Sequence, residues 1–322
     1  MTFDMASIRA AAERLSGSVV RTPLLESPQL NDLVGARVLV KAESLQLTGS
    51  FKIRGALNCT LSMTPGQRQA GLVTFSAGNH GQGVAAAAKL VGVPAVIVMP
   101  HTAARVKVQN CRWWGAEVVF YDPARDDRTE VAQTIARTRG MVLIPPFDDH
   151  DVMSGQGTVG LEMSEELDRL DIRPDAVVVN ASGGGLASGV IEAMTNAFPH
   201  IASYVTEPAG ADKVADSLRL HSPQTLDVVP DTVMDALAGP SVGKKTFAAL
   251  SRHSITGLTV TEEQAMAAVA AAFCTLRVVA EPGGAASLGA VLAARPRFKG
   301  QVIALVVSGG NVDPAVFISA IR

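Results

Sequence analysis

Short, continuously apolar runs, each closed by a turn and followed by a helix-like stretch, restrict this chain to few architectures. In the first half they are Val38-Leu39-Val40, Leu72-Val73-Thr74-Phe75, Ala95 to Met99, Glu117 to Phe120 and Met141 to Ile144. Ala176 to Val179, Ile201 to Thr206 and Gln301 to Val307 continue the series. Polar and apolar residues do not alternate within them, which is how parallel strands buried on both faces read. Ile8 to Leu15, Gly83 to Leu90, Ala104 to Trp113, Thr129 to Thr138 and Gly185 to Asn196 have helical character. Thr261 to Leu276 reads as one long helix, with Thr261 as N-cap and Glu262-Glu263 in its first turn. The pattern predicts an α/β fold with mostly parallel sheets, whose ligands bind beyond the carboxyl ends of strands. Pro145-Pro146 is the best marker of a domain boundary.

The chain has 322 residues, 48% of them hydrophobic and 18% charged, enough to bury a substantial core. A formal net charge of −2 gives no reason to expect a nucleic-acid partner. The three cysteines, Cys59, Cys111 and Cys274, are far apart, form no CxxC pair and read as small buried hydrophobes. The N-terminus lacks the pattern of a secretory signal, and no apolar run is long enough to span a bilayer. A cytoplasmic protein with no membrane partner is the expectation.

Three polar segments follow strand-like runs or lead into helices: Thr48-Gly49-Ser50-Phe51-Lys52-Ile53-Arg54-Gly55-Ala56, Ser76-Ala77-Gly78-Asn79-His80-Gly81-Gln82-Gly83 and Ala181-Ser182-Gly183-Gly184-Gly185-Leu186. Three successive glycines between a strand and a helix expose backbone N–H groups at the positive end of a helix dipole, an anion site. They equally suit a tight crossing with no ligand. The spacing is neither GxGxxG nor the GK[ST] nucleotide pattern.

A free lysine titrates near ~10.4, so Lys52 acts as a nucleophile or proton carrier only if desolvated or close to other positive charge. Phe51 offers an apolar wall, and Arg54 lies two residues on. The Asn79 amide suits an oxygen on a cofactor ring or, alternatively, an Asx turn or N-cap. The amides of Ser76 to His80 suit a carboxylate. His80 is a candidate acid or base, or a hydrogen-bonded loop histidine. Ser308 can offer a neutral hydroxyl to a ring nitrogen or cap its turn. A reactive lysine together with a Gly-rich turn and a triple glycine suggests a site for a phosphorylated aldehyde cofactor.

Taken together, S-F-K-I-R-G-A, S-A-G-N-H-G-Q-G, S-G-G-G-L, A-E-P-G-G-A-A-S and S-G-G-N-V-D resemble the fold type II pyridoxal-phosphate enzymes, within them the serine/threonine dehydratase and serine racemase branch. The resemblance implies a tryptophan synthase β-like α/β fold with two open, twisted, mostly parallel-sheet domains and the cofactor between them. Residues 1–70 and 149–322 would form the large cofactor-binding domain and 71–148 the small one. It implies that Lys52 is the Schiff-base lysine and removes the substrate α-proton. Phe51 would pack beside the ring and Asn79 would contact its hydroxyl. Gly183, Gly184, Gly185 and Leu186 would bind the phosphate, and Ser308 would face the pyridine nitrogen. Ser76, Ala77, Gly78, Asn79 and His80 would bind the substrate carboxylate. The implied reaction is dehydration and deamination of a β-hydroxy amino acid such as serine, threonine or 3-hydroxyaspartate to a keto acid and ammonia, by a homodimer.

Departures from the family pattern refine these expectations. Racemase members carry a second serine where this chain has Ala77, so weak or absent racemase activity is expected. Some members bind a divalent cation, magnesium for example, through a Glu, a carbonyl four residues later and an Asp two beyond. Glu207 and Ala211 match, but Lys213 stands at the last position beside Asp212, so no metal is expected. The sequence ends at Arg322 without the regulatory domain of biosynthetic threonine dehydratases, so feedback by isoleucine is not expected. Ile53-Arg54-Gly55 argues against a β-replacement synthase on the same fold. A non-catalytic small-molecule-binding or nucleotide-binding protein is the reading from a different class.

Overall fold

The computed structural model describes residues 2–103 and 105–322. Among the described residues ten strands follow in chain order: β1 Leu24–Glu26, β2 Arg37–Ala42, β3 Leu72–Phe75, β4 Ala95–Pro100, β5 Glu117–Tyr121, β6 Val142–Leu143, β7 Ala176–Asn180, β8 Ala202–Pro208, β9 Ile255–Val260 and β10 Val302–Val307. They form a six-stranded sheet ordered β1-β2-β10-β7-β8-β9 and a four-stranded sheet ordered β5-β4-β3-β6. Every pairing is parallel except β1 with β2. The mostly parallel α/β architecture expected from the apolar runs is the one observed. β7 is buried at every position, and β10 at all but its first, because helices cover both faces.

The expected helices are present with shifted ends. The helix after β3 is Asn79–Val91, starting four residues before the predicted Gly83. Ala104, the predicted start of the next helix, lies outside the described residues; the helix is Arg105–Trp113. The long helix predicted from Thr261 to Leu276 is α-helical only over Glu262–Ala271 and then widens into a π-helical turn, Ala272–Leu276. Thr261 caps it, accepting from the Gln264 amide while the Gln264 side chain accepts from the Thr261 amide. Cys59 and Cys111 are buried as expected, but Cys274 is exposed, because it sits on that wide turn.

A single helix, His150–Arg169, joins the two segments that bear the sequence motifs. The helix opening with Lys52, Lys52–Ser62, crosses it where Gly55 meets Gly155. A Cβ on Gly155 would stand 2.5 Å from the Arg54 carbonyl oxygen and 2.6 Å from Gly55 Cα. Two residues later the same helix meets Gly185–Ala197, the helix that follows the triple glycine. A Cβ on Gly189 would lie 2.5 Å from the Gly157 nitrogen. Neighbours made of backbone cannot rotate aside, so these helices come this close only because side chains are missing.

Arg54, fully buried, anchors the Lys52 helix electrostatically. Its Nε and Nη2 donate to Glu43 at 2.8 Å each, and its Nη1 donates to Glu162 Oε1 at 2.6 Å. Lys41 reaches the other oxygen of Glu162 at 2.6 Å. Burial alone would raise the Glu162 carboxyl, but the hydrogen bonds and charge of Arg54 and Lys41 outweigh it and hold that pKa below its ordinary value.

Gly155→Ala is expected to destabilise the protein by about 1–3 kcal/mol through overpacking against backbone. The shift of the unfolding midpoint in urea measures it, and an unchanged midpoint would show that the helices can separate freely.

Candidate active site

The carboxyl ends of β3, β7 and β10 and the start of the Lys52 helix open onto one cavity of about 420 Å³, within the ~300–1,000 Å³ range of ligand pockets. Phe51, Lys52, Ser76 to His80, Ser182 to Leu186, Asn180, Glu281 and Ser308 line it. All the residues singled out from the sequence as candidates for the site therefore meet in one place.

Lys52 opens its helix, and its Nζ donates to the Pro146 carbonyl at 2.7 Å and lies 5.2 Å from the Phe51 ring centroid. Desolvation lowers its pKa to about 8. Phe51 supplies the expected apolar wall. Arg54 does not act as the tuning charge that its spacing suggested, because its guanidinium is neutralised by Glu43 and Glu162 away from the cavity.

The triple glycine is a cradle that side chains would fill. A Cβ on Gly183 would overlap the Phe147 ring, and Gly184 adopts a left-handed φ of 92° over Thr246. The Thr246 hydroxyl holds the turn from below, donating to the Gly183 carbonyl at 2.6 Å. The helix that starts at Gly185 has no side-chain cap, so its first N–H groups face the cavity as an anion site.

Opposite, the helix from Asn79 also begins without a side-chain cap, on Gly78. The Asn79 amide nitrogen donates to Glu281 Oε1 at 2.5 Å, and its oxygen accepts from Asn311 at 2.7 Å. One N–H of Asn79 is left for a ligand. The His80 side chain is buried and hydrogen-bond-placed, as the loop-histidine reading expects. Its Nε2 lies 3.1 Å from the Ile144 carbonyl, and burial followed by the charge of Lys52 pushes its pKa down to about 3. Ser308 Oγ accepts from the Asn180 amide at 3.0 Å, so its own proton is free to be donated.

Glu281 is the cavity residue that the motifs contain but sequence reasoning did not single out. Burial, and then the Asp235 carboxylate, raise its pKa to about 7. The available signal was one acid inside the apolar stretch Val278-Val279-Ala280-Glu281-Pro282. Lys107 and Arg128 at the cavity rim carried no motif at all. Among the described residues there is no group of three or more His, Cys, Asp or Glu side chains arranged to hold a metal.

A desolvated amine, a side-chain-free anion cradle and a neutral hydroxyl donor around one cavity define an enzyme built for a phosphorylated aldehyde, and the residues present fit pyridoxal phosphate. The family model of pyridoxal-phosphate dependent enzymes matches residues 15–309, and the chain belongs to that family. Similar proteins include an L-threo-3-hydroxyaspartate ammonia-lyase from Pseudomonas sp., 38% identical over 97% of this chain and 96% of its own length. A serine racemase from Schizosaccharomyces pombe is 36% identical over 97% and 94%. Among solved structures, a threonine deaminase from T.th. superposes with a TM-score of 0.92 at 40% identity, covering 96% of this chain and 99% of that one. These relatives bear out the fold type II fold and the dehydratase and racemase branch.

Two outcomes are expected. Gly183→Ala weakens pyridoxal phosphate binding at least tenfold, about 1.4 kcal/mol, because the methyl group displaces Phe147 into the cradle. An absorbance titration of apo-protein checks it; unchanged affinity would place the phosphate elsewhere. The unprotonated amine of Lys52 gains population as pH rises through about 8. The rate of cofactor uptake by apo-protein is therefore expected to rise up to that pH and level off beyond it. A rise continuing towards ~10.4 in stopped-flow measurements would mean an ordinary, solvated lysine.

Proposed function

We propose that the protein is a β-hydroxy-amino-acid ammonia-lyase, converting substrates such as serine, threonine or 3-hydroxyaspartate to a keto acid and ammonia. The observation that carries this reading is the desolvated amine of Lys52 sharing one cavity with the glycine cradle. The activities named for the relatives, hydroxyaspartate and threonine ammonia-lyases among them, support the same reaction class.

The amides of Gly183, Gly184, Gly185 and Leu186 would hold the phosphate of pyridoxal phosphate, Phe51 would flank its ring, and Asn79 and Ser308 would address its hydroxyl and nitrogen. When bound, that cofactor supplies an aldehyde for amines and a conjugated ring that spreads the negative charge left by a departing α-proton. Lys52 as a neutral amine takes the proton from Cα, a role suited to a pKa of about 8. The amides of Ala77, Asn79 and His80 hold the substrate carboxylate and so present the Cα–H to Lys52, the Ser76 and Gly78 N–H groups being spent on the Val98 carbonyl and Ser76 Oγ. Ser308 would offer the ring nitrogen a hydrogen bond from a hydroxyl that stays neutral rather than a full proton. That suits elimination, in which the substrate β-hydroxyl leaves Cβ as water, the proton it takes up balancing the one that Lys52 removes from Cα. The unsaturated amine released takes up water and yields keto acid and ammonia.

Ala77 has no proton to deliver to the opposite face of Cα, which disfavours racemisation, the activity named for the serine racemase relatives. We take residues 1–70 with 149–322 and residues 71–148 as the two domains, and a cytoplasmic homodimer as the working form. Among the described residues no helix is long and apolar enough to cross a membrane.

A panel of β-hydroxy amino acids in both configurations, scored by keto-acid and ammonia release, tests the assignment. Lys52→Ala is expected to lower turnover of the best substrate by about 10²–10⁴. Undiminished turnover, or interconversion of L- and D-serine as fast as deamination, would overturn it.

A further inference from the structure

Lys213 has no part in the chemistry above, yet its ammonium is fully buried, an arrangement costly enough to call for compensating oxygens. They come from three separate pieces of chain. Nζ lies 3.6 Å from Glu207 Oε1 on β8, 3.5 Å from the Ala211 carbonyl in the following turn and 3.4 Å from the Leu237 carbonyl. No single contact is short, so the ammonium acts as a central charge among oxygens rather than through one strong hydrogen bond. Glu207 is fixed in turn, accepting the Val214 and Ala215 amides at 3.0 Å each.

Leu237 gives this cage its meaning. It ends the single 3₁₀ turn Asp235–Leu237, which forms one wall of the cavity. Regular secondary structure contributes only this three-residue turn between Arg219 and Lys244, so the wall depends on a few tethers. From the cavity side, Lys107 pairs with Asp235 at the rim. From behind, Lys213 ties Leu237 to the end of β8, a buried strand of the six-stranded sheet.

We propose that Lys213 is a positioning residue, a resident cation that fixes the 235–237 wall and thereby the room left for the substrate side chain. This rests on the reading that the cavity receives an amino acid. An ammonium at the centre of the cage also repels a second cation, so the charge is supplied by the chain itself.

The test uses the pyridoxal-phosphate-loaded enzyme. Lys213→Met keeps length and removes charge. It is expected to retain the cofactor absorbance while raising KM for the best substrate about tenfold or more and narrowing the preference among serine, threonine and 3-hydroxyaspartate. In Lys213→Ala, ethylammonium or magnesium ions added at millimolar levels restore KM; neither these ions nor EDTA changes the wild type. A Lys213→Met enzyme with wild-type KM and substrate ranking overturns the proposal, as does a wild type inactivated by EDTA. If Lys213→Met does not fold, Lys213→Ala decides: recovery of KM with added cation supports positioning, and no recovery overturns it. A wild type that deaminates no β-hydroxy amino acid is a separate failure, that of the functional reading.

Discussion

Backbone meeting backbone is the constraint on which the site depends. The helix His150–Arg169 carries Gly155 against Gly55 on one side and Gly157 against Gly189 on the other. The first contact places the turn of helix that bears Lys52, and the second places the helix whose open end follows the glycine cradle. Amine and anion site are therefore registered on a common rod instead of through flexible side chains. Such contacts are short and tolerate no inserted methyl group, so positional error between the two groups stays small.

The charges are arranged in two zones. Behind the Lys52 helix, Arg54 and Lys41 are matched by Glu43 and Glu162, so these charges stabilise the scaffold without reaching the cavity. Inside the cavity the ionisable groups are left largely unmatched. Lys52 faces a carbonyl, Glu281 faces an amide, and both titrate near neutrality because burial disfavours their charged forms. A site poised between protonation states needs the first zone to absorb the neighbouring charges that would otherwise bias it.

Much of this was readable in the residues because the sheets are parallel. Strands buried on both faces leave unbroken apolar runs, and β3, β7, β8 and β10 were found from them. β9, Ile-Thr-Gly-Leu-Thr-Val, lies at a sheet edge with a single buried position and has no such run, and the three-residue antiparallel β1 is too short to give one. Phe51, Lys52, Asn79, the three glycines and Ser308 were found because each stands in a segment whose local chemistry is unusual. Glu281 was passed over because its role lies in a partner 202 residues away, Asn79, which spacing along the chain does not reveal. Arg54 misled for the same reason: proximity in sequence to Lys52 says nothing about Glu43 and Glu162, which claim its charge.

The resting contact of Lys52 is with main chain, the carbonyl of Pro146. A side-chain acceptor could be erased or strengthened by one codon change, whereas this one persists through any replacement at position 146 that keeps the backbone path. Pro145 and Pro146 both carry φ angles locked by their rings, so that path is stiff. The perch from which the reactive amine departs is thus insulated from mutational drift, and its strength is set by loop geometry alone.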